Sequence, residues 1–68
     1  MTFTIEYEQE EDGRWLAEIL EIPGALAYGQ TQQEAVARVQ ALALRVLADQ
    51  LEQEEAVPSP LDLSFATR

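Results

Sequence analysis

The side chains in this sequence that could do chemistry are almost all carboxylates. Of 68 residues, 13 are Asp or Glu and four are Arg, with no Lys, His or Cys, for a net charge of -9 at pH 7. Without His or Cys there is no thiol-imidazole pair, no serine triad built on histidine and none of the usual zinc ligand sets. Carboxylate chemistry remains. Glu6 and Glu8 alternate along one predicted strand and Asp62 lies on another. If those strands are neighbours, the three acids share one sheet face, a set that could hold metal ions as in a two-metal nuclease. Such a site needs ligands that converge in a pocket, whereas an acidic row on an open sheet is ordinarily a solvated surface. The residues therefore predict a non-enzymatic domain with no cofactor, and a degenerate metal-dependent nuclease is the alternative.

The elements that must position these acids follow from periodicity. From Thr2 to Glu8, Phe3, Ile5 and Tyr7 alternate with Thr4, Glu6 and Glu8, the period-two pattern of a half-buried strand. Asp12-Gly13 supplies positive φ for a hairpin turn. A second strand, about Arg14 to Leu20, points Trp15, Ala17 and Ile19 one way and Leu16, Glu18 and Leu20 the other. Pro23-Gly24 fits the two central positions of a type II turn, and a short third strand runs from about Ala25 to Tyr28. Gly29 ends it, and Thr31-Gln32-Gln33-Glu34 matches the S/T-x-x-E capping box that opens a helix.

That helix is predicted from Gln32 to about Glu54. Ala35, Val36, Val39, Leu42, Ala43, Val46 and Leu47 recur at three- and four-residue spacing as its buried stripe, and Leu44 and Leu51 read as a widening of the same core. Asp49, Glu52, Glu54 and Glu55 oppose the dipole at its end, so fraying is expected near Glu54. Pro58-Ser59-Pro60 stops the helix, and the alternation of Leu61, Leu63 and Phe65 predicts a fourth strand. The expected fold is α+β, in the order βββαβ: a four-stranded mixed sheet, strands 3-2-1-4, with one long helix on one face and the other face open.

A chain of this length makes one domain with a modest core, about 60% of its unfolded surface being buried. Residues 1-68 therefore read as a single unit. No apolar run approaches the ~20 residues of a membrane span, and the lack of Cys suits a reducing compartment, so a cytoplasmic protein without membrane contact is expected. The negative charge repels phosphate backbones and argues against direct nucleic-acid binding. A small core without disulfides favours self-association, here assigned to Leu16 and Leu20.

The passage from Glu11 to Ala35 resembles the HicB family of antitoxins. Its members carry D-G-x-W-x-A, an acidic residue before a hydrophobic-Pro-Gly, and G-x-T-x-x-E-A opening a helix. The corresponding residues are Asp12, Gly13, Trp15, Ala17, Glu21, Ile22, Pro23, Gly24, Gly29, Thr31, Glu34 and Ala35. The match spans about the first fifty residues; Leu20 stands where the family often has proline. The resemblance implies a partial RNase H-like fold without the nuclease site. It also implies homo-oligomers, dimeric or higher, and a function: binding and blocking a small basic, mRNA-cleaving toxin of the HicA type. Many members add a carboxyl-terminal DNA-binding module; after the helix only a connector and one strand follow, so no separate DNA-binding domain is expected. The motif residues set turns and caps, and the partner is expected at Glu6, Glu8, Glu18 and Asp62. An orphan interaction domain without a toxin is a further alternative.

Overall fold

The computed structural model describes residues 1–53 and 62–68. Five elements occur in the order β1 (Thr2–Gln9), β2 (Trp15–Ile19), β3 (Leu26–Gly29), α1 (Gln32–Glu52) and β4 (Ser64–Thr67). The strands form one sheet in the order β3-β2-β1-β4. β1 pairs antiparallel with β2, β2 antiparallel with β3, and β4 parallel with β1. The α+β fold, the βββαβ order and the 3-2-1-4 sheet are those expected from the sequence.

Each connection has a local cause. Glu10 donates its N–H to the Arg14 carbonyl at 2.7 Å and Gly13 donates to the Glu10 carbonyl at 3.0 Å, closing a tight hairpin in which Gly13 has φ +93°. The Asp12 carboxylate accepts from the Arg14 N–H at 3.1 Å, the Asx-type bond that favours Asp in turns. At the next corner Ala25 donates to the Ile22 carbonyl at 3.0 Å around Pro23 and Gly24, whose φ of +84° meets the type II requirement.

The core lies between one sheet face and one row of the helix. Phe3 and Ile5 of β1, Ala17 and Ile19 of β2, and Ala25 are buried against Ala35, Val39, Ala43 and Leu47, which follow one another every four residues along α1. Tyr7, Trp15 and Phe65 pack around this centre, with tilted ring pairs Phe3–Phe65 at 5.9 Å and Tyr7–Trp15 at 6.2 Å. Trp15 is thus a core-edge residue, as its place among apolar neighbours suggests. The tightest point is the start of the helix: a Cβ on Gly29 would stand 2.5 Å from the Ala35 backbone nitrogen and 3.0 Å from its Cα. Gly13 and Gly24 have open space around the same position and are required for their positive φ, whereas Gly29 is required for its missing volume.

Three expectations are corrected. Leu44 and Leu51 are not core: they are 49% and 51% exposed, because the sheet covers one side of α1 and these positions lie on another. The fourth strand begins at Ser64, which pairs with Thr2, the first residue of β1. Ser64 there donates to the Met1 carbonyl at 3.0 Å, and the Met1 amino group donates to the Asp62 carbonyl at 2.6 Å. Leu61, Glu54 and Glu55 lie outside the described residues. The third strand is displaced by one residue, ending at Gly29, which pairs with Trp15.

Gly29→Ala should lower the unfolding free energy in urea by about 1–3 kcal/mol, the range for forcing volume into a packed site. Gly24→Ala should cost about 1 kcal/mol, through its left-handed backbone alone. An unchanged urea midpoint for Gly29→Ala would show that the helix is not seated on β3.

Candidate functional site

Strand alternation that buries Phe3, Ile5, Ala17 and Ile19 sends their neighbours to the opposite face, where no helix packs. The register arranges that face as a grid. Glu6 stands opposite Glu18, Glu8 opposite Leu16, Leu16 opposite Tyr28, and Glu18 opposite Leu26. Leu16 is half-buried; Glu8, Glu18, Leu20, Leu26 and Tyr28 are exposed. Glu6, Tyr7, Glu8, Leu16 and Glu18 line a shallow depression of about 130 Å³. Three carboxylates surround Leu16 there, and the lining is more polar than apolar.

Few cations answer these acids. Arg68 approaches Glu6 at 3.8 Å, and both side chains are largely exposed, so the pair is weak. Arg14 lies over the Tyr28 ring at 4.4 Å and is shared with Asp12 at 2.8 Å. Among the described residues Glu8 and Glu18 have no ion-pair partner. Like charges directly across a strand pair are destabilising. The Glu6–Glu18 pair is such an arrangement, so the fold tolerates these carboxylates rather than gaining from them.

Asp62 is not part of this constellation. With Thr2 paired to Ser64, Asp62 lies beyond the first residue of β1, about 20 Å along the strand direction from Glu6. It precedes β4 instead of lying on it. Among the described residues, no group of three or more Asp or Glu side chains stands close enough to hold a metal ion. Leu16 and Leu20, assigned above to self-association, share the sheet face of Glu6, Glu8 and Glu18.

The motif residues serve architecture. Glu21 accepts the Thr4 backbone N–H at 2.7 Å and the Thr4 hydroxyl at 2.8 Å. Leu20 donates its N–H to the Thr4 carbonyl beside it, so the Glu21 carboxylate stands in for the strand that ends at Ile19. These two Thr4 donors hold the Glu21 carboxyl below the ordinary glutamate range, and the Arg14 backbone N–H followed by its guanidinium does the same for Asp12. Thr31 caps α1 by accepting the Glu34 N–H at 3.1 Å. Glu34 reaches back to the Gln30 N–H at 3.2 Å, one residue earlier than a standard box, and pairs with Arg38 at 3.0 Å. Arg38 in turn donates to the Tyr28 carbonyl at 2.8 Å, tying the helix to β3.

Leu26 and Tyr28 were not singled out from the sequence. The signal was present in Leu26-Ala27-Tyr28-Gly29, where the small residues face the helix and the large ones point away. Compared with family models, with curated proteins and with solved structures, the chain matches none. Among the described residues no helix is long and apolar enough to cross a membrane.

Because folding lowers the Glu21 and Asp12 values, their contribution is present above the unfolded carboxylate range of about pH 4 and is lost as pH falls through the lowered folded values. Glu21→Gln should therefore be less stable than wild type at pH 7, with the difference closing towards pH 3, read from urea midpoints. A difference that does not change with pH would contradict the Thr4 latch.

Proposed function

We propose that this chain is a non-enzymatic acidic binding module of the HicB type, acting in the cytoplasm to bind and neutralise a small basic, mRNA-cleaving toxin of the HicA type. The observation that carries the reading is the open sheet face, where Glu6, Glu8 and Glu18 surround Leu16 with little local positive charge. A protein that grips RNA must present cations to its phosphates. Carboxylates spread along two adjacent strands offer such a surface an alternative to the phosphate backbone, and Leu16, Leu26 and Tyr28 add the apolar contact that charge alone lacks. The ordered motif from Asp12 to Ala35 supports the family, and its residues build the turns, latch and cap that hold this face in place.

Mixed with a candidate toxin at equal concentration, the protein should form a complex and suppress RNA cleavage. The triple variant Glu6→Gln, Glu8→Gln, Glu18→Gln should bind at least about tenfold more weakly, with a shallower dependence on salt. No complex and no protection at micromolar concentration would reject the antitoxin reading; tight binding that ignores all three substitutions would move the contact to another surface.

A further inference from the structure

The open sheet has two edges, the outer sides of β3 and β4, and they are not equivalent. In β3 the Ala25 carbonyl accepts from Ile19 at 3.0 Å, so Ala25, Ala27 and Gly29 face β2 and the backbone groups of Leu26 and Tyr28 turn outward. The Arg38 guanidinium occupies part of that edge by donating to the Tyr28 carbonyl at 2.8 Å. In β4 Ser64 donates to the Met1 carbonyl at 3.0 Å and Arg68 to the Ile5 carbonyl at 2.9 Å. Ser64, Ala66 and Arg68 therefore face β1, and the N–H and C=O groups of Phe65 and Thr67 point away from it. Among the described residues nothing bonds these four groups.

The side chains at the β4 edge are also incompletely covered. α1 lies over β3 and β2 and scarcely reaches β4. Phe65 leans on Phe3 with its ring at 5.9 Å, yet it and Leu63 stay half-buried on the helix side of the sheet. Between Asp62 and Arg68 the chain reads Leu-Ser-Phe-Ala-Thr, without charge or proline. Apart from its shortness, the edge thus lacks the devices that ordinarily keep other strands away.

We infer that the outer edge of β4 takes an extended segment of a basic protein as an added antiparallel strand. Two N–H and two C=O groups, alternating over about 7 Å, match the backbone of an extended chain and nothing more compact. Antiparallel pairing is the more stable of the two directions. Charge selects the occupant: two copies of this chain, each at -9, repel one another, whereas a basic segment is attracted. The exposed Asp62 then fixes what the segment must carry. Its residues opposite Thr67, Phe65 and Leu63 fall on the helix side and are apolar; those opposite Ala66 and Ser64 fall on the open face and are small and polar. Its carboxyl end passes Asp62, where Lys or Arg fits. The inference does not depend on the antitoxin reading, because the segment docks at an edge that the acidic face does not include.

The end-capped peptide Val-Thr-Val-Thr-Val-Lys has this pattern and serves as the probe, added to the isotopically labelled chain. Before addition, the Phe65 and Thr67 amides should exchange with solvent faster than those of Ser64, Ala66 and Arg68. The contact is short, so a dissociation constant of about 0.1 mM is expected, and about 1 mM peptide should slow exchange at Phe65 and Thr67 about tenfold. Glu in place of the peptide's Lys should weaken binding at least about threefold. Thr67→Pro removes one outward N–H at a position where an edge strand tolerates proline. It should abolish the slowing at Phe65 while the Ala17 and Val39 amide signals, in the core, stay in place. No slowing at about 1 mM peptide, slowing at Leu26 and Tyr28 in its place, or slowing without peptide that grows with protein concentration, the mark of a second copy, would overturn the inference.

Discussion

The structure depends on how closely α1 can lie on the sheet. Gly29 leaves no side chain between the end of β3 and the Ala35 backbone, and Ala17, Ala25 and Ala43 keep the rest of the interface shallow. In a core this small each methylene counts, because interiors are packed at crystal-like density and give little. One helix can cover only one face of a four-stranded sheet. The opposite face and the helix back are therefore left to solvent or to other proteins.

Polar groups hold the ends of the elements and stay out of the middle. No buried side chain among the described residues is polar or charged. Glu21 extends the ladder past the end of β2, Asp12 closes the hairpin, and Thr31, Glu34 and Arg38 join the helix start to β3. Each bond is exposed and individually modest. Together they fix where the strands stop and where the helix begins, which sets the register that brings Glu6 opposite Glu18. The motif thus shapes the open sheet face without standing on it.

Much of this was legible in the sequence, because period-two and period-3.6 patterns record which side of each element is buried. The alternation of Phe3, Ile5 and Tyr7, the Pro23-Gly24 corner and the Thr31 cap lead directly to the strand order found. What was not legible depends on distances between elements. Asp62 reads as a neighbour of Glu6 until the register of β4 is known, and one parallel offset moves it to the far end of the sheet. Leu44 and Leu51 read as core because helical spacing does not say how wide a stripe the sheet can cover. The Thr4–Glu21 latch joins residues 17 apart through a side chain, a contact that no periodicity encodes.

The proposed contact with a basic partner lies on the acidic sheet face, around Glu6, Glu8 and Glu18, and leaves the helix back uninvolved. Nuclear magnetic resonance on the isotopically labelled chain, titrated with a candidate basic toxin, tests this division most directly. The amide signals of Glu6, Glu8, Leu16, Glu18 and Tyr28 should move on addition of the partner while those of Ala37, Leu44, Ala48 and Leu51 should not. Movement confined to the helix back, with the sheet face silent, would contradict it.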